Sequence, residues 1–326
     1  MTDFFFPQTI DSSMLSDFRA CPQKFFRTHI QHWKSTGSNV HLHAGGAYAN
    51  GLEAGRKAFY IDGKTEQEAE RIASDALSEY YGDFICPDDS AKSLVRMLGA
   101  LDFYFSRYPM STDAARPMVV GDHHGIEFSF QEPLDALHPD TGNPIIFSGR
   151  ADSIVNFAGG LYLEDDKTTS RLGNEWRNKW EMRGQFTGYC WMAQKAGFKV
   201  AGTLVRGISI LKSGYDTAEV LTYRSQMEID RWIYQTERDV QRMVRMYNAY
   251  KRALADENED KANYAFDFNL DEACTMYGGC PFQSACKSSD PDRWIASGHK
   301  QEVWCPDTRQ QVPLAEYKRI WLTEES

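Results

Sequence analysis

The chain has 326 residues, and at about 150 residues per domain this leads to one large domain with appended elements or to two domains. Hydrophobic residues at 42% and charged residues at 25% are ordinary for a globular protein and exclude a disordered, collagen-like or disulfide-scaffold chain. Lys+Arg 36 against Asp+Glu 46 leaves a formal charge of -10, so any nucleic-acid partner has to be met by a local basic surface rather than by a basic whole.

Residues 12–34 open with serines and space Met14, Leu15, Phe18, Phe25 and Phe26 at helical intervals around Cys21-Pro22, which predicts a helix, a break and a second helix. Gly45-Gly46 leads into another helix, and Thr65 with Glu68 forms a capping box ahead of Ala69, Ile72, Ala73, Ala76, Leu77 and Tyr80. Helices are expected to dominate as far as Tyr108. The period then falls to two at Ile126, Phe128 and Phe130, and β-prone residues run from Ile145 to Phe157. Ala158-Gly159-Gly160 signals a turn and LYLEDDKTT the returning strand, which puts a hairpin over residues 145–169 at the centre of the fold.

A helix from about residue 181 to 196 and a buried strand, TLVRGISIL, come next. A long amphipathic helix over residues 226–255 then sets Ile229, Trp232, Ile233, Val240, Met243, Val244, Tyr247 and Tyr250 on one face. Helix and strand alternate, so the class is α/β. Residues 256–272 hold seven acidic side chains against the single Lys261 and read as a solvated linker. No window suits a membrane span, and the start MTDFFFPQTI is too short and acidic for a signal peptide, so a cytoplasmic protein with no membrane partner is expected. DGKT at 62–65 lacks the upstream glycine of a phosphate loop because Ala58 stands there.

Side chains alternate along a strand, so Asp165 and Lys167 share one face while Glu164 and Asp166 take the other. A turn through Ala158-Gly159 pairs residues 157 and 160 and sets Asp152 opposite Asp165; a turn at Gly159-Gly160 sets it opposite Lys167. Both registers gather the three on one face. Two carboxylates and a lysine suit hard Mg²⁺ or Mn²⁺, with Lys167 orienting or helping to deprotonate a water and offsetting phosphate charge, which is the chemistry of phosphodiester hydrolysis. For a bare Asp-x-Lys, a solvated face with incidental ion pairs is by far the better account.

GRAD at 149–152, LEDDKTT at 163–169, and Gln185 with Tyr189 as Q-x-x-x-Y together resemble the RecB-like branch of the PD-(D/E)XK nuclease superfamily. The resemblance implies a restriction-endonuclease-like core, a central mixed sheet flanked by helices. It also implies Asp152 and Asp165 as metal carboxylates, Lys167 as catalytic lysine, and Gln185 with Tyr189 as the helix pair beside DNA. The chain departs from the pattern G-x-x-x-H-x-x-L-E: Gly45, Leu52 and Glu53 are present, but Ala49 stands at the histidine position. Glu53, one helical turn on, is the expected replacement metal ligand, with His41 and His43 as substitutes. An ion pair of Glu53 with Arg56 or Lys57 and an exposed loop for the histidines are the plainer readings. His123-His124 reads as a turn.

Cys274, Cys280 and Cys286 form C-x5-C-x5-C, and Cys21 lies far upstream. Four thiolates suit a tetrahedral zinc or a [4Fe-4S] cluster. With the nuclease motifs, this arrangement resembles the iron–sulfur nucleases of the AddB and CRISPR-associated RecB-like exonuclease group, which implies a [4Fe-4S] cluster on the four cysteines, with zinc as the alternative. The interval from Cys274 to Cys280 exceeds the C-x-x-C of that group, and Gly278-Gly279 would let the longer loop fold back. Cys305 is a candidate to replace Cys274; Cys86 and Cys190 read as buried thiols. The expected organisation is a helical segment over 1–44, a nuclease core over 45–255, and an acidic linker with a C-terminal cysteine-cluster clamp over 256–326.

Arg171, Arg177, Lys179 and Arg183 interleave with Trp176 and Trp180, and are the candidate DNA contacts, the cations for phosphate and the indoles for stacking on bases. Partly buried tryptophans in a connector explain the aromatics as readily. Arg19, Lys24, Arg27 and Lys34 add a second basic stretch. The expected function is a metal-dependent DNA exonuclease making single-stranded tails for recombination or repair. The alternatives are a flap or branch endonuclease and a DNA-binding scaffold that lost cleavage with the histidine. The resemblance further implies a bacterial, phage or CRISPR setting, with a recombination or spacer-acquisition protein as partner.

Overall fold

The computed structural model describes residues 4–37, 39–270, 272–275 and 279–321. Strand β1 (Thr9–Asp11) runs into α1 (Ser12–Ala20), whose first amides are capped by the Asp11 carboxylate. Cys21 is extended because Pro22 follows it, and the residue before proline is pushed out of the helical region. The second helix, α2 (Pro22–Phe25), passes into a π-helical turn ending at Ile30, then β2 (Trp33–Ser35). Next come α3 (Val40–Tyr60), α4 (Glu66–Tyr81) and α5 (Leu94–Arg107). The capping box opens α4, with Glu68 accepting from the Thr65 backbone N–H at 3.0 Å.

Three two-residue strands, β3 (Arg116–Pro117), β4 (Val119–Val120) and β5 (His123–His124), precede β6 (Ile126–Leu137), β7 (Pro144–Phe157) and β8 (Gly160–Thr169). His123 and His124, expected in a turn, pair instead with Val120 and Val119. Helices α6 (Asn174–Asn178) and α7 (Gly184–Lys195), strands β9 (Val200–Ile210) and β10 (Tyr215–Tyr223), and α8 (Gln226–Ala255) complete the middle of the chain. The remainder is α9 (Glu259–Asn263), α10 (Gln283–Cys286), α11 (Pro291–Gly298), β11 (His299–Cys305), β12 (Gln310–Pro313) and α12 (Leu314–Trp321). Among the described residues no helix is long and apolar enough to cross a membrane.

Contacts divide the chain into two compact units, one of residues 1–37, 131–149 and 230–326, the other of residues 38–130 and 150–229. The division 1–44, 45–255 and 256–326 followed composition, whereas the units follow packing. In the first unit β1 lies parallel to the start of β7, Ile10 against Phe147, and β2, β11 and β12 form a separate small sheet. Trp232, Val240, Met243, Tyr247 and Tyr250 of α8 are buried, as their helical spacing requires. The acidic stretch is not a solvated linker: Ala262 and Phe266 are buried, Phe266 stacks on Phe26 at 4.6 Å, and Asp267 pairs with Arg242 at 2.5 Å. Two apolar anchors among the acids pull the segment onto the unit; Asp271 lies outside the described residues.

The second unit holds a mixed sheet flanked by helices. The end of β7 pairs antiparallel with β8, β8 parallel with β9, and β9 antiparallel with β10. Strand β10, unanticipated from the sequence, buries only Ala218 and Thr222, so its hydrophobic alternation is faint. Helices α3, α4 and α5 pack into a core that also takes Ile208 and Ile210 of β9. Close approach of α3 and α4 depends on Gly51, where a Cβ would stand 2.9 Å from the Ala73 carbonyl oxygen and 3.1 Å from Leu77 Cβ. Gly51→Val is therefore expected to cost about 1–3 kcal/mol by overpacking, read as a lower melting temperature of the purified variant.

Candidate functional site

The hairpin that carries the candidate chemistry turns through Ala158 (φ 47°) and Gly159 (φ 82°), the two left-handed residues of a primed two-residue turn, whose twist matches that of the strands. Phe157 pairs with Gly160 and Ser153 with Glu164, so the register continued by one residue sets Asp152 opposite Asp165. This is the first of the two registers considered. Asp152 Oδ2 accepts from the Asp166 backbone N–H at 2.9 Å, and Lys167 Nζ pairs with Asp165 Oδ1.

Asp165 is 3% exposed. Burial lifts its pKa, Lys167 opposes the lift, Asp152 and Asp166 add to it, and the result is a carboxyl at about 7. Burial works against the Lys167 ammonium, but the Asp165 and Asp152 carboxylates outweigh it and hold the group above the usual lysine value. Lys167 is thus a fixed cation in this geometry, suited to orienting water and offsetting charge on a phosphate.

Behind the strand lies a second set of charges that the sequence reading did not assemble. Arg56 of α3 pairs with Glu164 at 3.2 Å and Asp166 at 2.7 Å, and Arg206 of β9 pairs with Glu164 at 3.1 Å, Asp113 at 2.5 Å and Glu219 at 3.0 Å. The Tyr104 hydroxyl donates to Asp166 at 2.7 Å and accepts from Arg56 at 2.9 Å. Burial lifts Glu164 to about 7 while Arg56 and Arg206 pull it down. The signal was present: an arginine inside the apolar run TLVRGISIL needs buried partners, and Arg206 finds them in Glu164 of β8, Asp113 and Glu219. With Glu164 and Asp166 held behind, Asp165 and Lys167 must face forward.

Helix α7 brings the remaining pair. Gln185 Nε2 donates to the Tyr189 hydroxyl at 3.0 Å, and the Tyr189 phenol is close enough to Lys167 to act on its charge. Asp152, Asp165, Lys167, Gln185 and Tyr189 therefore belong to one neighbourhood. Glu53 is not gathered with them: it pairs with Lys57 at 2.5 Å, one turn along α3, where its carboxylate finds a cation of its own. His43 hydrogen-bonds the Tyr81 carbonyl at 3.0 Å and stacks on Phe84, and His41 is exposed. Among the described residues no three His, Cys, Asp or Glu side chains converge as a single-ion site.

A sequence model of the PD-(D/E)XK nuclease superfamily matches residues 12–287. The chain belongs to that superfamily. No curated protein sequence matches the nuclease. Among solved structures it is similar to a Eubacterium rectale protein named "Putative exonuclease", at 12% identity and a TM-score of 0.39 over 73% of this chain and 80% of that one. A second, SSO0001, shows 15% identity and a TM-score of 0.24 over 58% of this chain and 73% of that one. Nucleases of the superfamily generally use divalent metals, and DNA is the substrate that membership implies. Asp152 and Asp165, facing carboxylates whose mutual repulsion is unfavourable without a cation, fit such an ion.

The cations of the nuclease's connector and its tryptophans separate. Arg171, Arg177, Lys179 and Arg183 are exposed. Trp176 and Trp180 are each 5% exposed and pack edge to face at 5.4 Å. Trp176 also lies on Gly207, where a Cβ would come within 2.3 Å of the indole. The expectation that these rings stack on bases is corrected: they anchor the connector to the sheet beside Lys167, and Lys179 sits over Trp180 at 4.3 Å.

Cys21, Cys274, Cys280 and Cys286 line one cavity together with Lys24 and Arg27. The Cys280 backbone N–H donates to the Cys274 carbonyl at 3.0 Å, and Gly279 takes φ +103°, so the longer interval does fold back; Gly278 lies outside the described residues. Cys305 lines a different cavity and does not replace Cys274. Cys190 is buried as expected, and Cys86 is only half-buried.

Asp165 supplies a pH test. Its folded pKa of about 7 exceeds the unfolded carboxylate value of about 3.9, so the folded state binds more protons between the two. The stability contributed by this group is full below the lower value and lost as pH rises through the upper one. In EDTA, melting of the wild type relative to Asp165→Asn is expected to fall between pH 5 and pH 8, and Mg²⁺ at pH 8 is expected to raise the wild type alone.

Proposed function

We propose that the protein is a metal-dependent DNA exonuclease of the RecB-like branch that makes single-stranded tails for recombination or repair. What supports this reading is that the Asp152 carboxylate accepts from the Asp166 backbone N–H at 2.9 Å, next to Asp165, whose carboxylate pairs with Lys167. A bound Mg²⁺ or Mn²⁺ would supply Lewis acidity toward the scissile phosphate. Asp152 and Asp165 would hold that ion, and Lys167 orients the attacking water while its charge opposes the build-up of negative charge on phosphorus-bound oxygens. Tyr189, oriented by Gln185, contacts phosphate or base. Arg171, Arg177, Lys179 and Arg183 take the DNA backbone, so affinity falls steeply with salt.

The deciding assay offers end-labelled linear DNA and covalently closed circles with Mg²⁺ or Mn²⁺ to wild type and Lys167→Ala. Loss of linear DNA alone, with the variant slower by at least 10²-fold, is the expected result. Cutting of circles would replace the exonuclease with a branch or flap endonuclease, and intact DNA in both arms would leave a binding scaffold.

A [4Fe-4S] cluster on Cys21, Cys274, Cys280 and Cys286 belongs to the same proposal. Its support is that the four thiols line one cavity flanked by Lys24 and Arg27, whose charges suit an anionic thiolate-bound cluster. Anaerobically purified protein is expected to contain iron and sulfide with broad visible absorbance, lost in Cys280→Ala. Zinc in place of iron would refute the cluster.

A further inference from the structure

A cavity of about 250 Å³ opens within the first unit, away from the four-cysteine cavity. Phe5, Trp304, Cys305, Asp307 and Tyr317 line it from outside residues 12–287 that match the superfamily, and Met14, His29 and His32 line it from within them.

The walls are rings. Phe5 lies 4.4 Å from the His32 imidazole and 5.2 Å from the Tyr317 ring, the latter pair parallel to within 7°. Trp304 is fixed by its indole N–H donating to Asp11 at 2.7 Å. His32 is 2% exposed, takes a left-handed φ of 61°, and its Nε2 has no hydrogen-bond partner among the described residues. A non-glycine residue held there, with a buried polar atom unmet, costs free energy that a ligand hydrogen bond would offset. Burial, with His29 and Lys318 nearby, pushes His32 down to about 3, so it meets a ligand as neutral imidazole. At the rim, Asp307 accepts from Thr9 at 3.2 Å and Gln131 at 2.7 Å, which fixes a carboxylate with capacity for a further N–H.

We propose that this cavity binds a single planar heterocyclic base. Stacking rings, a neutral imidazole and a carboxylate acceptor suit a flat ring with N–H donors, and the volume is below the roughly 300–1,000 Å³ of sites for larger ligands. The base comes from a free nucleoside or nucleotide, or from the end of a DNA strand. The proposal does not rest on the nuclease reading.

Calorimetry on the full-length protein in EDTA distinguishes the sources, with the four deoxynucleosides as one set of probes and single-stranded tetranucleotides as the other. The variants are Asp307→Asn, an exposed position that leaves folding intact, and His32→Asn, since asparagine tolerates the left-handed backbone. Nucleoside binding that weakens about ten-fold in each variant, the loss of one hydrogen bond, supports the proposal and assigns free nucleosides. Tetranucleotide binding alone with the same sensitivity supports it and assigns strand ends. Absence of binding by both sets at millimolar concentration, or binding unchanged in Asp307→Asn, overturns it.

Discussion

Two buried arginines hold the candidate catalytic strand in place. A strand has a two-residue period, so a slip by one residue would turn every side chain of β8 to the opposite face. Arg56 and Arg206 prevent the slip because each requires Glu164, and Arg56 also requires Asp166. An unpaired charge in that interior would cost several kcal/mol. The forward presentation of Asp165 and Lys167 follows from the backward anchoring of their neighbours, and the chemistry of one face is set by the electrostatics of the other.

The same logic shows what could be read in advance. The hairpin and the shared face of Asp152, Asp165 and Lys167 were legible because they depend on local alternation, whereas Ala158-Gly159 and Gly159-Gly160 remained equal candidates for the turn. The long helix over residues 226–255 was legible because eight apolar residues repeat along it with the helical period. The clustering of Cys21 with cysteines more than 250 positions away was suggested by resemblance, since nothing local links them.

What stayed hidden depends on tertiary contact. Trp176 and Trp180 lie among cations, as base-stacking residues do, but a glycine at position 207 opens a berth in the sheet that only one of them can fill. Residues 256–270 look solvated by charge, and a single buried phenylalanine, Phe266, decides otherwise. In each case one partner, distant in sequence or facing an unexpected way, outweighs the composition of the segment.

The nesting of the two units bears on how the protein is made. Residues 38–130 and 150–229 form their unit without any residue beyond 229, whereas residues 1–37 share theirs with residues 131–149 and 230–326. During synthesis the inner unit is therefore complete in sequence before the outer one: the first 37 residues meet residues 131–149, against which β1 pairs, before the rest of their unit has been made. The opening segment, rich in phenylalanine, therefore reaches its final packing only when the last stretch of the chain is made.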